Sequence, residues 1–292
     1  MKSGFVSIVG RPNVGKSTLL NTLVGEKIAI TSDKPQTTRN LIQGIYNDMD
    51  TQIVFVDTPG IHKPINKLGN KMNAQSYYSM DDVDVILLVM DASSSFGTGD
   101  KFVFEKLSYT LKPVILVLNK IDKLTNDELL LKITEYKDMY DFADIVPISA
   151  LKKDNVNRLI NVIKKYLTDN VKYFMDNEIT SASDEFRICE AVRESILNLT
   201  NDEIPYSVTC VINNIEKKSD IINVYVDIIV DRDNLKKIII GKKGVKLKEI
   251  GIKARGEIEK ILGKQVYLEL YVKTLKKWRD KEKYLTDLGF NE

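Results

Sequence analysis

Hydrophobic positions in the first 170 residues come in short unbroken runs rather than in alternation. "FVSIV" (5–9), "IVFV" (53–56), "VILLVM" (85–90), "VILVLN" (114–119) and "IVPIS" (145–149) are each the length of a strand. A strand that is apolar on both faces is one covered on both faces, as in a parallel sheet flanked by helices. Helix-length segments separate the runs. The last of them repeats apolar residues at helical spacing through Val156, Leu159, Ile160, Ile163 and Leu167. The pattern predicts an α/β domain over residues 1–170, with a mostly parallel, doubly wound sheet.

That periodicity is lost in "KYFMDNEITSASD", and a polar linker is placed at 171–184. Residues 185–292 follow a different pattern. A helix near 186–198 precedes two alternating strands, "YSVTCVINNIE" and "IINVYVDIIV". A basic helical pair around "GKKG", a strand "QVYLELYVK" and a polar tail with the only tryptophan, Trp278, complete the chain. The order predicts a second, α+β domain.

A length of 292 residues fits two such domains, and 43% apolar with 29% charged residues is the composition of a soluble globular protein. Two cysteines and a single histidine, His62, give neither a zinc site nor a disulfide framework, and a reducing cytoplasm is expected. The longest apolar run is too short to cross a membrane. Net charge is only +2, but it is unevenly placed. Between Asn234 and Lys283 there are sixteen Lys and Arg against six Asp and Glu, so the remainder is acidic. This segment alone calls for a polyanionic partner.

After the first strand, "GRPNVGKS" fits G-x-x-x-x-G-K-S/T and leads into an apolar helix, the context a phosphate-binding loop requires. Gly10, Arg11, Pro12, Asn13, Val14, Gly15, Lys16, Ser17 and Thr18 then form the phosphate cradle. Backbone N–H groups and the helix N-terminus supply donors, Lys16 a point charge, and Ser17 a ligand for Mg²⁺. "DTPG" places Asp57 at a strand end as the outer-sphere Mg²⁺ partner, followed by Thr58 and Pro59, with the Gly60 N–H toward the γ-phosphate. "NKID" at the end of another strand carries Asp122, whose carboxylate can accept two parallel N–H bonds from guanine but not from adenine. Asn119 and Lys120 brace that loop, and Ser149, Ala150 and Leu151 offer a backbone N–H to the guanine oxygen.

With these elements in order, the sequence resembles the translation-factor-like branch of P-loop GTPases. The resemblance implies GTP and GDP as ligands and a threonine ahead of DTPG that binds Mg²⁺ only in the triphosphate state. "KPQTTRN" offers Thr37 and Thr38, of which Thr38 is the better spaced; Lys16, Thr38 and Gly60 are then the catalytic set. Ras-like members orient the attacking water with a Gln where this chain has Ile61, so slow hydrolysis is expected. Relatives with an apolar residue there use K⁺ held by a P-loop asparagine, which here is Asn13.

"IIIGKKGVKLKEIGIKARGEIEKIL" lacks the P-loop spacing. Its G-x-x-G with flanking lysines is the loop by which a KH domain clamps single-stranded nucleic acid, with bases in an adjoining apolar groove. Ile240, Gly241, Lys242, Lys243, Gly244, Lys246 and Lys248 are the RNA-binding candidates, ahead of a helix with apolar Val245, Leu247, Ile250, Ile252, Ile258 and Ile261. Together with "PQTTR", "DEIPYSV", "WRD" and "LGF", the chain resembles the Era family of bacterial ribosome-assembly GTPases over nearly its whole length. Tyr206 departs from the histidine more usual there. The resemblance implies a monomer with a type II KH domain that binds the 3′ region of small-subunit (16S) ribosomal RNA under nucleotide control and assists 30S subunit biogenesis. Peripheral contact with the inner face of the membrane is also implied. A GTPase organiser at anionic lipid is the alternative reading of the same basic charge.

Overall fold

The computed structural model describes residues 1–34, 36–201 and 203–290, so Pro35 and Asp202 of the quoted motifs, and the last two residues, lie outside it. The first part of the chain contains β1 (Lys2–Val9), α1 (Lys16–Val24), β2 (Ile42–Asn47), β3 (Thr51–Asp57) and α2 (Lys67–Asp81). It continues with β4 (Val85–Asp91), α3 (Thr98–Leu107), β5 (Val114–Asn119), α4 (Asn126–Tyr136), β6 (Asp144–Pro147) and α5 (Val156–Ile163). The strands form one sheet in the order β2-β3-β1-β4-β5-β6, parallel except for β2 against β3. Alternation within each run feeds two cores. Val85, Leu87 and Val89 of β4 pack with α1 and α5, while Ile86, Leu88 and Met90 pack with α3 on the other face.

β2 is an element the apolar runs do not announce. It carries Gly44 at its centre, where a Cβ would lie 2.7 Å from side-chain atoms of Leu20, Val24 and Ile28. Side chains of α1 and of Ile28 lie so close on this edge strand that any Cβ would force them to shift, and a glycine inside a short half-exposed strand reads as a turn.

The segment expected as a linker runs along this sheet. Ser3 bridges to Asp169 and Gly44 to Thr180, and Gln52 Nε2 donates to Phe174 O (3.0 Å). The chain continues through α6 (Asp184–Leu199), α7 (Ile204–Ser207), β7 (Val208–Lys217) and β8 (Ile221–Val230). α8 (Asp233–Ile240), α9 (Val245–Leu262), β9 (Gln265–Thr274) and α10 (Glu282–Asp287) follow. β7 and β8 are antiparallel, β8 and β9 parallel, and α6 and α9 cover one core with them.

Two sequence expectations change here. On α9, Ile250 and Ile258 are buried with Ala254, but Val245 and Ile252 are 66% and 58% exposed; Ile252 lines a groove rather than the core, and Val245 stands in solvent at the helix start. The tail is not merely polar: Trp278 is fully buried with Leu285 and Phe290 against Leu68 and Met72 of α2. Its burial depends on a helix some 200 residues earlier in the chain, which no local pattern reveals.

Candidate nucleotide and nucleic-acid sites

The loop between β1 and α1 is shaped by what glycine permits. Gly15 has φ +98°, and a Cβ on it would lie 2.4 Å from Asn119 Nδ2, so the loop closes directly on the "NKID" turn. Asn119 Nδ2 donates to Val14 O (2.8 Å), and Asn119 Oδ1 accepts from Lys120 N (2.8 Å) and Ala150 N (3.0 Å). Lys120 Nζ donates to Asn13 O and to Asp91 Oδ2, each at 2.7 Å. One asparagine and one lysine therefore tie three loops together. Asp122 is left exposed at their rim with Ser149 Oγ donating to it. The Ala150 N–H donates to Asn119 within this turn, which packs the Ser149–Leu151 turn against the "NKID" loop. Leu151 keeps its side chain in solvent.

Lys16 is buried and donates to Gly10 O and Arg11 O, each at 3.1 Å, holding its ammonium across the loop mouth. Arg11 turns its guanidinium away, with Nε donating to Asp100 Oδ1 (3.0 Å), so only its backbone borders the cradle. The Thr58 hydroxyl likewise donates to Ile8 O (2.8 Å) and anchors the strand end. Pro59 O accepts from Ser76 Oγ, and Gly60 lies against Pro12 with space for no side chain. The Ile61 side chain is buried in the core, while its amide donates to Gly10 O (3.2 Å). His62 donates from Nδ1 to Gly60 O (2.8 Å) and accepts at Nε2 from Gln36 (2.9 Å).

Three oxygens converge beside Lys16. Ser17 Oγ lies 2.7 Å from both Asp57 Oδ2 and Thr38 Oγ1, and Thr38 Oγ1 is 3.3 Å from Asp57 Oδ2. Asp57 Oδ1 is buried with no partner. Burial raises the Asp57 carboxyl to about 6 against the opposing charge of Lys16, and burial lowers Lys16 to about 8 against that of Asp57. Two hydroxyls and an under-satisfied carboxylate form a hard oxygen donor set that fits Mg²⁺. Thr38, rather than Thr37, is the threonine brought to this set; the Thr37 hydroxyl donates to Lys34 O.

The second site lies in residues 233–274. Gly241, with φ +71°, breaks α8 from α9, and a Cβ there would meet Lys246 Cβ at 2.8 Å. Lys242 and Lys243 project into solvent at this turn, with Ile240 partly packed on the core beneath them. The turn opens on a groove of about 530 Å³ between α9 and β9. Leu247, Gly251 and Ile252 line one wall and Leu268 and Leu270 the other, with Lys248 and Arg255 at the edge. An apolar trough with cations along its rim suits bases inside and phosphates outside. Among the described residues no helix is long and apolar enough to cross a membrane.

Fold and sites together define a P-loop GTPase joined to a KH domain. Residues 5–120 match the family described as "50S ribosome-binding GTPase", and residues 203–279 match "KH domain". Two solved structures align over 100% of this chain and of their own, each at 43% identity. One is Aquifex aeolicus Era in a variant bound to GDP·AlF4⁻, with TM-score 0.96. The other is Era in complex with MgGDPNP and nucleotides 1506–1542 of 16S ribosomal RNA, with TM-score 0.97. The chain belongs to the Era family of GTPases.

Proposed function

We propose that this protein binds GTP with Mg²⁺, hydrolyses it slowly to GDP and phosphate, and binds the 3′ region of small-subunit ribosomal RNA through its KH groove, assisting assembly of the 30S subunit. The observation that carries this reading is the presence in one chain of both built polyanion sites, when a relative of the same length and 43% identity holds MgGDPNP and 16S ribosomal RNA together. The ribosomal RNA in that complex is of the small subunit, which favours that subunit over the one in the first domain's family description.

In this reading the loop amides from Gly10 to Thr18 and the N-terminus of α1 hold the phosphates, and Lys16 adds a fixed charge. Ser17 and Thr38 would ligate Mg²⁺ directly, with Asp57 outside them. Held by these residues, Mg²⁺ would supply charge neutralisation to the bound phosphates. The Gly60 amide faces the γ-phosphate. Asp122 selects guanine while Asn119 and Lys120 keep its loop in place. Ile61 offers the attacking water no hydrogen bond, and His62 is occupied at both ring nitrogens in joining Gly60 to Gln36, so intrinsic turnover is slow. K⁺ held by Asn13 is the proposed second cation. Asn13 sits at φ +65°, with its Nδ2 donating to Asp33 O (2.6 Å) at the mouth of the cradle.

The protein works as a cytoplasmic monomer in this account. Binding of a 3′-end oligonucleotide and of a scrambled one, at fixed salt and with anionic vesicles as competitor, tests the RNA assignment. Selective binding that vesicles do not displace supports it. Equal binding of both oligonucleotides, displaced by vesicles, would transfer the basic segment to the membrane surface.

A further inference from the structure

Among the described residues from Gly25 to Leu41, none lies in a helix or strand, so no ladder of backbone hydrogen bonds holds the segment that carries Thr38. Asn21 of α1 ties down its start through Ile28 N, Ala29 N and Ala29 O, and around Thr38 much of what holds it comes from the other domain. The Thr37 carbonyl accepts a hydrogen bond from Arg193 Nη2. On the other side of Thr38, Arg39 donates to Val208 O (2.6 Å) and Pro205 O (2.8 Å). Earlier in the segment, Glu194 accepts from Thr31 N (3.1 Å) and Lys27 Nζ (2.6 Å).

Arg193 is the best fixed of these groups. It is 2% exposed, and its Nε and Nη2 donate to the two carboxylate oxygens of Glu190, at 2.7 and 2.5 Å, one turn back on the same helix. A forked guanidinium held by a carboxylate has little rotational freedom left, so its remaining bond to a carbonyl has a defined direction. That carbonyl belongs to the peptide linking Thr37 to Thr38.

We propose that Arg193, held by Glu190, is a positioning residue for the nucleotide site: by fixing the Thr37–Thr38 peptide it keeps the Thr38 hydroxyl beside Ser17 and Asp57, so that the second domain completes the cation site of the first. The proposal rests on the reading of Thr38 as a ligand of the triphosphate state. Ordering one backbone residue is enough to alter an affinity roughly tenfold. The effect should fall on the triphosphate alone, since a diphosphate in this reading does not engage Thr38.

The test uses the full-length protein and the variants R193M/E190Q, R193K and T38A. The paired replacement avoids leaving one buried charge without its partner. Affinities for fluorescent GDP and for a non-hydrolysable GTP analogue are measured at fixed Mg²⁺, with amide hydrogen exchange at residues 37–39 in the GDP state. The expected result for R193M/E190Q is roughly tenfold weaker analogue binding, GDP affinity within about twofold, and faster exchange at Thr38. R193K, which keeps one donor, recovers part of the loss and carries the test if the double variant does not fold. Adding T38A to R193M/E190Q should cost nothing further, because both remove the same interaction. Equal losses for GDP and analogue, or no loss while T38A alone weakens the analogue, would overturn the positioning role. Unchanged analogue affinity in T38A would overturn the reading of Thr38 itself, and the proposal with it.

Discussion

Lys16 and Asp57 share one buried site, and burial pulls each toward its neutral form, to about 8 and about 6, against the attraction of the other. A bound triphosphate and cation restore the charges that burial disfavours. Below about pH 6 the free protein carries a proton on Asp57 that cation binding must expel, so affinity falls as pH falls. Above about pH 8 Lys16 is neutral and phosphate binding must draw in a proton, so affinity falls as pH rises. Calorimetry of Mg²⁺ with a GTP analogue should therefore show the tightest binding between these two values, with losses of up to roughly tenfold per pH unit outside them. A flat profile from about pH 5 to 9 would contradict the assignment of these two groups. Asn13 makes its own prediction. Hydrolysis in potassium buffer should exceed that in sodium buffer several-fold, and an Asn13→Ala variant should lose the difference; equal rates for the parent protein would remove K⁺ from the account.

At the scale of elements, the KH turn is the part whose role is most open to a quantitative test. Lys242 and Lys243 are exposed beside Gly241, with no element of their own domain to hold up, so replacing both by Ala should leave the fold intact. Binding of single-stranded RNA should weaken, and the slope of log affinity against log salt should flatten by about 1.4, or about 0.7 for each phosphate no longer neutralised. An unchanged slope would place the phosphates elsewhere. The legibility of the sequence also varies by element. β4 and β5 are readable because apolar residues cover both faces, whereas β2 is hidden by Gly44, which α1 requires. Lys16, Asp57 and Asp122 stand out because each sits at a strand end within a short motif. Arg193 and Glu190 do not, since an i, i+3 ion pair on an amphipathic helix looks like any solvated pair. Only the fold shows it buried and aimed 156 residues back in the chain at Thr37. Ile252 misleads for the opposite reason, because an apolar residue lining an exposed groove has the same spacing as a core residue.

Across the molecule, two seams join the domains among the described residues. One joins the segment around Thr38 to α6. The other packs Trp278 on Leu68 and Met72, with Trp278 Nε1 donating to Ser207 O (3.1 Å) and Lys71 paired to Glu282 (2.6 Å). Trp278→Ala should lower the unfolding free energy by about 3–5 kcal/mol, read by urea denaturation; a change below about 1 kcal/mol would show the seam to be loosely packed. In the function proposed above, the first seam would couple the nucleotide to the RNA groove, since α6 packs on α9 in the core beneath that groove. In that account GTP with Mg²⁺ would add a ligand contact at Thr38 to the hold that Arg193 already provides, and GDP would withdraw that contact. The measurement closest to this claim is the affinity of a small-subunit rRNA 3′-end oligonucleotide for the full-length protein at fixed salt, first with GDP and then with a non-hydrolysable GTP analogue. The account predicts tighter, sequence-selective binding with the analogue, and equal affinity in the two states would contradict it.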